Sequence, residues 1–324
     1  MSDEPYLVAI SRLLATRHET PKMRTLLLLL AVPLTVGCNI PRFHATRTVK
    51  QTLETTPLQQ IDLSSFNGDI DVEVHDQPTV DMTVDYKAYG ESEGDAQEKC
   101  DLLDCEITAE EGVLKLKATK PSGIWMASAN FKLAVPANLN VKLHTSNGAV
   151  NVSDISGIVD VNTSNGTVNL NRIGGDMKVR TSNGRVYGKN CAGTFDASSS
   201  NGRIYYSGML VGTENKIVTS NGKVSLELEQ GSATEIDAKT SNGSVKSSLH
   251  VQKTIDEGKR SFHGIVGNGD ASSELAKLYV KSSNGSINIS AWTPEVDEEI
   301  EETTTEITSE VAEVTEESEI TVSN

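Results

Sequence analysis

From residue 141 onward, apolar residues fall at every second position in short runs, and the same polar tetrad interrupts each run. Asn-Gly occurs at Asn147, Asn165, Asn183, Asn201, Asn221, Asn242 and Asn284, almost always within Thr/Ser-Ser-Asn-Gly, with an earlier Ser-Phe-Asn-Gly at Asn67. The intervals are 18, 18, 18, 20, 21 and 42 residues, the last equal to two coils of 21. Six residues before the Asn stand Val141, Val159, Met177, Phe195, Asn215, Ile236 and Leu278. Four before stand Leu143, Val161, Val179, Ala197, Ile217, Ala238 and Val280, and three after stand Val150, Val168, Val186, Ile204, Val224, Val245 and Ile287. One column breaks once, at Asn215. A spacing of two is the strand period, so each coil reads as strand, Asn-Gly turn, strand. Gly accepts positive φ without steric cost and Asn tolerates it better than most residues, which suits both to the turn.

A two-residue Asn-Gly turn usually marks a β-hairpin. Seven turns in one register fit the corners of an all-β, parallel β-solenoid better. Coils would then stack about 4.8 Å apart, with the Asn side chains bonding along a ladder. Gly157, Gly175, Gly193 and Gly212 suit a second corner. Five residues before the Asn, the outward column reads Lys142, Asp160, Lys178, Asp196, Lys216, Asp237. Alternating signs support stacking, because like charges directly opposite are destabilising.

Ahead of the repeats the pattern changes. Strands are expected within 61–74, 80–86, 105–107, 113–118 and 131–135, with a helix over 92–103. Together they read as a cap over residues 59–140 that shields the first coil, since a bare end exposes unpaired strand edges. The solenoid then occupies 141–292.

Composition adds two constraints. Aromatic residues are only 4% of the chain, which suits thin coils burying small aliphatics rather than one large core. The net charge of −16 sits mostly in 293–324, a Glu/Thr-rich tail carrying twelve acidic residues and no basic ones, expected to be disordered. No long basic block exists, which argues against nucleic acid as a partner.

The beginning reads as an export signal: Met23-Arg24, an apolar stretch from Leu26, then Leu34-Thr35-Val36-Gly37-Cys38. The run is shorter than the roughly 20 apolar residues of a membrane span. It resembles the bacterial lipobox, with Thr35 a departure from the usual Leu, and this implies that Cys38 is the lipid-attachment residue. Residues 1–22 form an upstream extension, with Met23 the expected start, and 38–58 serve as anchor and linker. Asn39 stands where a retention signal often has Asp, so the outer membrane is the expected destination in a cell that has one.

Cys100 and Cys105, five apart in an oxidising compartment, form either a short-loop disulfide or two buried thiols. Cys191 follows Ile155 and Ile173 in a buried column and reads as a small core residue.

No catalytic residue, metal site or cofactor is indicated. Asp69, Asp71 and Glu73 alternate on one strand, about 6.8 Å apart, too far to converge on one Ca²⁺. The six His show no metal-helix spacing, and Gly267-Asn268-Gly269 reads as a turn. Asp160, Asp196 and Asp237 recur in alternate rungs, about 9.6 Å apart and each flanked by Lys, outside the spacing of a retaining glycosidase pair and at the edge for an inverting one. One face does suggest binding. Arg185, Arg203 and Lys223 follow consecutive turns, Tyr187 and Tyr205 lie two residues further on, and Arg180 is placed beside them. Cations with aromatic platforms suit an acidic glycan or other anionic envelope polymer; the alternative is ordinary ladder decoration.

The strand Phe131-Lys-Leu-Ala-Val-Pro136, the following Leu143-His-Thr-Ser-Asn-Gly148, the repeated Thr-Ser-Asn-Gly and the closing Ser283-Asn-Gly-Ser-Ile287 resemble the bacterial putative-adhesin β-strand-repeat domain family, over roughly 59–290. The resemblance implies a cell-envelope protein without agreed catalytic residues. The reading is a non-enzymatic envelope lipoprotein, membrane-attached through its lipid, that binds an envelope polysaccharide or surface protein. End-to-end scaffold assembly is the alternative, and a polysaccharide-acting enzyme stands third.

Overall fold

The computed structural model describes residues 43–54, 58–270 and 275–293. The stretch expected to be an export signal, Cys38 and the acidic tail lie outside the described residues. In chain order the elements are β1 (Phe43–Glu54), β2 (Gln60–Ser64), β3 (Ile70–Val74), β4 (Thr79–Gly90), α1 (Glu93–Asp101), β5 (Asp104–Glu110), β6 (Val113–Thr119) and β7 (Ala127–Val135). The repeats contribute β8 (Asn140–Thr145), β9 (Val150–Ser153), β10 (Val159–Thr163), β11 (Val168–Asn171), β12 (Met177–Thr181), β13 (Val186–Gly193), β14 (Phe195–Ser199), β15 (Ile204–Leu210), β16 (Asn215–Thr219) and β17 (Val224–Glu229). The chain closes with β18 (Thr234–Thr240), β19 (Val245–Ser247), β20 (Val251–Gly258), β21 (Ser261–Val266), β22 (Ala276–Ser282) and β23 (Ile287–Trp292).

These strands form two sheets, parallel through the coils, with each Asn-Gly turn carrying the chain from one to the other. The first sheet runs β1-β4-β7-β3-β9-β11-β13-β15-β17-β23-β19 and the second β20-β21-β18-β22-β16-β14-β12-β10-β8-β2-β6-β5. The three apolar columns meet between them: Val141, Val159, Val161, Val168, Val179, Val186, Phe195, Ile204 and Ile217 are all 0–1% exposed. The solenoid and its coil period stand as expected from the alternation.

The tetrad owes its composition to stacking. Thr163, Thr181, Ser199, Thr219 and Ser282 are buried, and each side-chain oxygen accepts from the Gly amide three residues on, at 2.8–3.2 Å. Ser199, Thr219 and Ser282 also donate to a Gly carbonyl of the adjoining coil, at 3.0–3.1 Å. A Cβ on Gly166, Gly184 or Gly202 would lie 1.6–1.7 Å from the Gly carbonyl oxygen of the coil before. Among these turn glycines φ lies outside the left-handed region. Close backbone approach, rather than positive φ, is therefore what demands glycine here.

The Asn side chains form the expected ladder, in an unexpected order. Asn147 donates to Asn67, and Asn165, Asn183, Asn201 and Asn221 each donate to the one before, at 2.5–2.8 Å. Asn284 then donates to Asn221 at 2.6 Å, and Asn242 to Asn284 at 2.7 Å. The 42-residue interval is therefore not two coils in succession. The last coil, β22–β23, is interposed between β16–β17 and β18–β19. Residues between the two coils form the antiparallel hairpin β20–β21, whose β21 covers the outer edge of β18.

Asn215, the break in the apolar column, is explained by the same junction. Its amide donates to Val211 O, Gly212 O and Lys277 O at 3.0–3.1 Å, and its Oδ1 accepts from Phe195 N at 2.9 Å. It satisfies the backbone of a lengthened corner and ties the interposed strand to it.

Two boundaries differ from expectation. The stretch read as anchor and linker contains β1, twelve residues paired antiparallel along β4. Residues 60–74, read as cap, are themselves a coil: β2 and β3 pair parallel with β8 and β9. The charge column accordingly begins one rung earlier, with Lys142 Nζ 3.0 Å from Asp62. At its other end Tyr279 separates Lys216 from Asp237, which were expected to be neighbours.

Candidate functional site

The outer face of the first sheet begins immediately after each turn. The carbonyls of Arg185, Arg203 and Lys223 accept from the amides of Val168, Val186 and Ile204 at 2.8, 2.9 and 3.1 Å, so these three residues occupy consecutive rungs. All three side chains are exposed. Arg185 and Arg203 make no ion pair among the described residues, while Lys223 Nζ reaches the side-chain amide of Asn288 at 3.2 Å.

Two residues on, Tyr187 and Tyr205 pair in register, their ring centroids 6.4 Å apart at 48°. The Tyr205 hydroxyl donates to Glu227 at 2.8 Å. Tyr187 abuts Asn169, which begins a second amide ladder: Asn169 donates to Asn151 at 2.7 Å and Asn151 to Asp71 at 2.6 Å.

Beside Tyr187 lies a cavity of about 330 Å³ lined by Asn169, Asn171, Arg172, Tyr187, Lys189 and Asn190. Asp154, Arg172 and Asn190 turn the chain in successive coils, with left-handed φ of 65°, 52° and 53°. Arg172 makes a two-pronged ion pair with Asp154, at 2.6 and 2.9 Å. Trp292 Nε1 donates to Asn190 Oδ1 at 3.3 Å. Lys189, Asn190 and Trp292 were missed from sequence. Lys189 continues the outward alternation of Arg185 and Tyr187 and was available to the same reasoning. Trp292 arrives only because its coil is interposed, which the pattern does not reveal.

Arg180 does not belong to this face. It lies on β12, before the turn and therefore in the opposite sheet. There it pairs with the Asp196 carboxylate and donates to the carbonyls of Val179 and Asp196 at 3.0 and 2.9 Å. The turn between Arg180 and Arg185 changes sheets, so proximity in sequence does not put them side by side.

The other candidates are structural. Cys100 and Cys105 are separate thiols, so the disulfide is not formed in this structure. Cys100 is buried at the end of α1 against Tyr86 O, and Cys105 lies on the edge strand β5. Burial raises both thiols, Cys105 to about 11, so little thiolate exists for exchange. Cys191 is 2% exposed below Ile155 and Ile173, its thiol pushed by burial to about 11. Asp69 Oδ1 accepts from Ala149 N at 2.7 Å, and Glu73 pairs with Lys132 at 2.5 Å, so these carboxylates serve the strand face.

The hairpin does bring a second charged group together. His263 Nε2 lies 3.2 Å from Glu235, Lys277 Nζ lies 3.5 Å from its other oxygen, and Lys239 pairs with Asp237 at 3.0 Å. The His263 hydrogen bond, assisted by Lys277, holds the Glu235 carboxyl below its usual 4.5. That direction is opposite to what a general acid needs. Among the described residues no group of three or more His, Cys, Asp or Glu is arranged to hold a metal ion, and no helix is long and apolar enough to cross a membrane.

The fold and this face define a class: a parallel β-solenoid with a cationic, aromatic outer strip. Residues 43–290 match the family model described as Toastrack DUF4097. The chain belongs to that family, a putative-adhesin domain family of unknown function. Solved structures similar to it include "a putative cell adhesion protein" from Clostridium sporogenes, 11% identical over 76% of this chain and 100% of that one, with TM-score 0.37. Another is "a putative adhesin" from Bacteroides fragilis, 12% identical over 75% and 97%, with TM-score 0.32. Comparison with curated proteins returns no match.

Proposed function

We propose that this chain is a non-catalytic cell-envelope lipoprotein whose first-sheet face binds an anionic envelope polymer. The observation that carries the reading is a contrast between the two outer faces. The second sheet alternates charge along its column, from Asp62 and Lys142 through Asp160, Lys178 and Asp196 to Lys216. The first sheet stacks Arg185, Arg203 and Lys223 on neighbouring rungs with no acid between them. Like charges about 4.8 Å apart repel and destabilise the sheet unless an anion shares them. A chain of repeated negative groups laid along the solenoid axis would do so, with Tyr187 and Tyr205 as flat surfaces for its sugar rings. Cys38 is the lipid attachment in this reading.

The test is binding of the lipid-free protein to acidic and neutral envelope polysaccharides, beside an Arg185→Ala/Arg203→Ala/Lys223→Ala variant. Binding to acidic polymers that weakens with salt and falls at least tenfold in the variant supports the reading; equal binding by both proteins overturns it.

A further inference from the structure

The end of the molecule opposite the interposed coil carries an exposed aromatic group. Strands β1, β4 and β7 lie side by side there, and their register brings Phe43 opposite Gly90, His44 opposite Tyr89, and Ala88 opposite Ala127. Trp125 and Met126, just before β7, therefore lie at the same rim as Phe43. Trp125 is 85% exposed, Met126 44% and Phe43 38%. The His44 and Tyr89 rings adjoin at 5.9 Å, and Lys87 Nζ sits 4.8 Å over the Tyr89 ring.

The loop holding Trp125 is pinned. Ile124, its neighbour, is 7% exposed in the core, and its carbonyl accepts from Lys120 Nζ at 2.6 Å. Ile124 N donates to Pro121 O at 3.4 Å, and Met126 O accepts from Tyr89 N at 3.1 Å. The backbone thus holds an indole outward that could have been polar at no cost to the core. Clustered exposed apolar groups of this kind mark an interaction surface. Tryptophan and tyrosine with a lysine stem beside them are the composition of the membrane–water interface.

The occupant is indicated by the chain leading to it. Cys38 precedes Phe43 by five residues, and five residues span at most about 18 Å even when fully extended. We propose that this rim is a membrane-docking surface: Phe43, Trp125 and Met126 enter the interfacial layer of the bilayer that holds the acyl group of Cys38. The proposal rests on the lipid-anchor reading. Glu91 and Glu93 stand next to the rim, so docking proceeds by burial of apolar surface rather than by attraction to anionic lipid. The register sets Phe43, Gly90 and Trp125 in a line across three neighbouring strand ends, so docking lays this strand-end edge of β1, β4 and β7 against the bilayer.

The two tryptophans make this measurable, because Trp125 precedes the start of β7 whereas Trp292 ends β23, a strand running the same way, with its indole on Asn190. The acylated full-length protein is reconstituted into phosphatidylcholine vesicles as Trp292→Phe and Trp125→Phe variants, with lipid brominated near the top of the acyl chains. Trp125 as the single tryptophan is expected to shift to the blue and lose most of its emission, while Trp292 alone keeps the same emission with and without vesicles. Variants that float with the vesicles while Trp125 stays unquenched overturn the docking and leave the anchor intact. A Cys38 peptide of unmodified mass, with no flotation, overturns the anchor and the docking with it.

Discussion

The buried hydroxyls of Thr163, Ser199 and their counterparts, the stacked Asn amides and the turn glycines each serve the contact between one coil and the next. Against that background Arg203 stands out, with Arg185 on one side and Lys223 on the other. Restoring the threonine that occupies the same column at Thr167 removes the repulsion at the middle rung. Arg203→Thr is therefore expected to raise unfolding stability by about 0.2–1 kcal/mol in low salt, with the gain shrinking as salt screens the charges. The same change weakens polyanion binding. Urea unfolding at two salt concentrations checks this, and a loss of stability in low salt would contradict it. Residues of this kind were legible in sequence because a column aligned on the Asn shows its charges directly. Arg180 was misplaced because alternation along one strand does not carry across a turn that changes sheets.

At the scale of elements the informative feature is the interposed coil. Both late tetrads, Thr240-Ser-Asn-Gly and Ser282-Ser-Asn-Gly, bear the same signature, so the pattern establishes that two coils exist and cannot order them. Their order follows from the hairpin β20–β21, which occupies the far side of β18 and leaves β22 only the near side. Asn284 consequently makes two ladder bonds and Asn242 one. At about 0.5–1.5 kcal/mol per bond, Asn284→Ala is expected to cost roughly twice what Asn242→Ala does. Sequential coils would have reversed that ranking, so denaturant unfolding of the two variants reads the topology. The hairpin also has a pH dependence. Because the folded Glu235 carboxyl titrates below its ordinary 4.5, its contribution is fully present above that pH and is lost as pH falls through the folded value. Protection factors for the β21 amides, with the intrinsic exchange rate divided out, should fall below pH 4.5, and Glu235→Gln should flatten the change; an unaltered pH profile in that variant would contradict it.

Across the whole molecule, stacking parallel coils turns a short repeat into a long, regular surface, and the two faces use that regularity differently. One neutralises its charges internally, rung by rung. The other gathers cations and aromatic rings over three consecutive rungs, and the interposed coil adds Trp292 beside them. This third component was not legible because its position depends on the coil order. Charge alone does not distinguish the two faces, so the decisive comparison removes three cations from each. Affinity for an acidic polysaccharide is measured for Arg185→Ala/Arg203→Ala/Lys223→Ala and for Lys142→Ala/Lys178→Ala/Lys216→Ala on the opposite sheet. The account predicts a loss of at least tenfold in the first and near-unchanged affinity in the second; equal losses in both would mean that net charge, and not this face, holds the polymer.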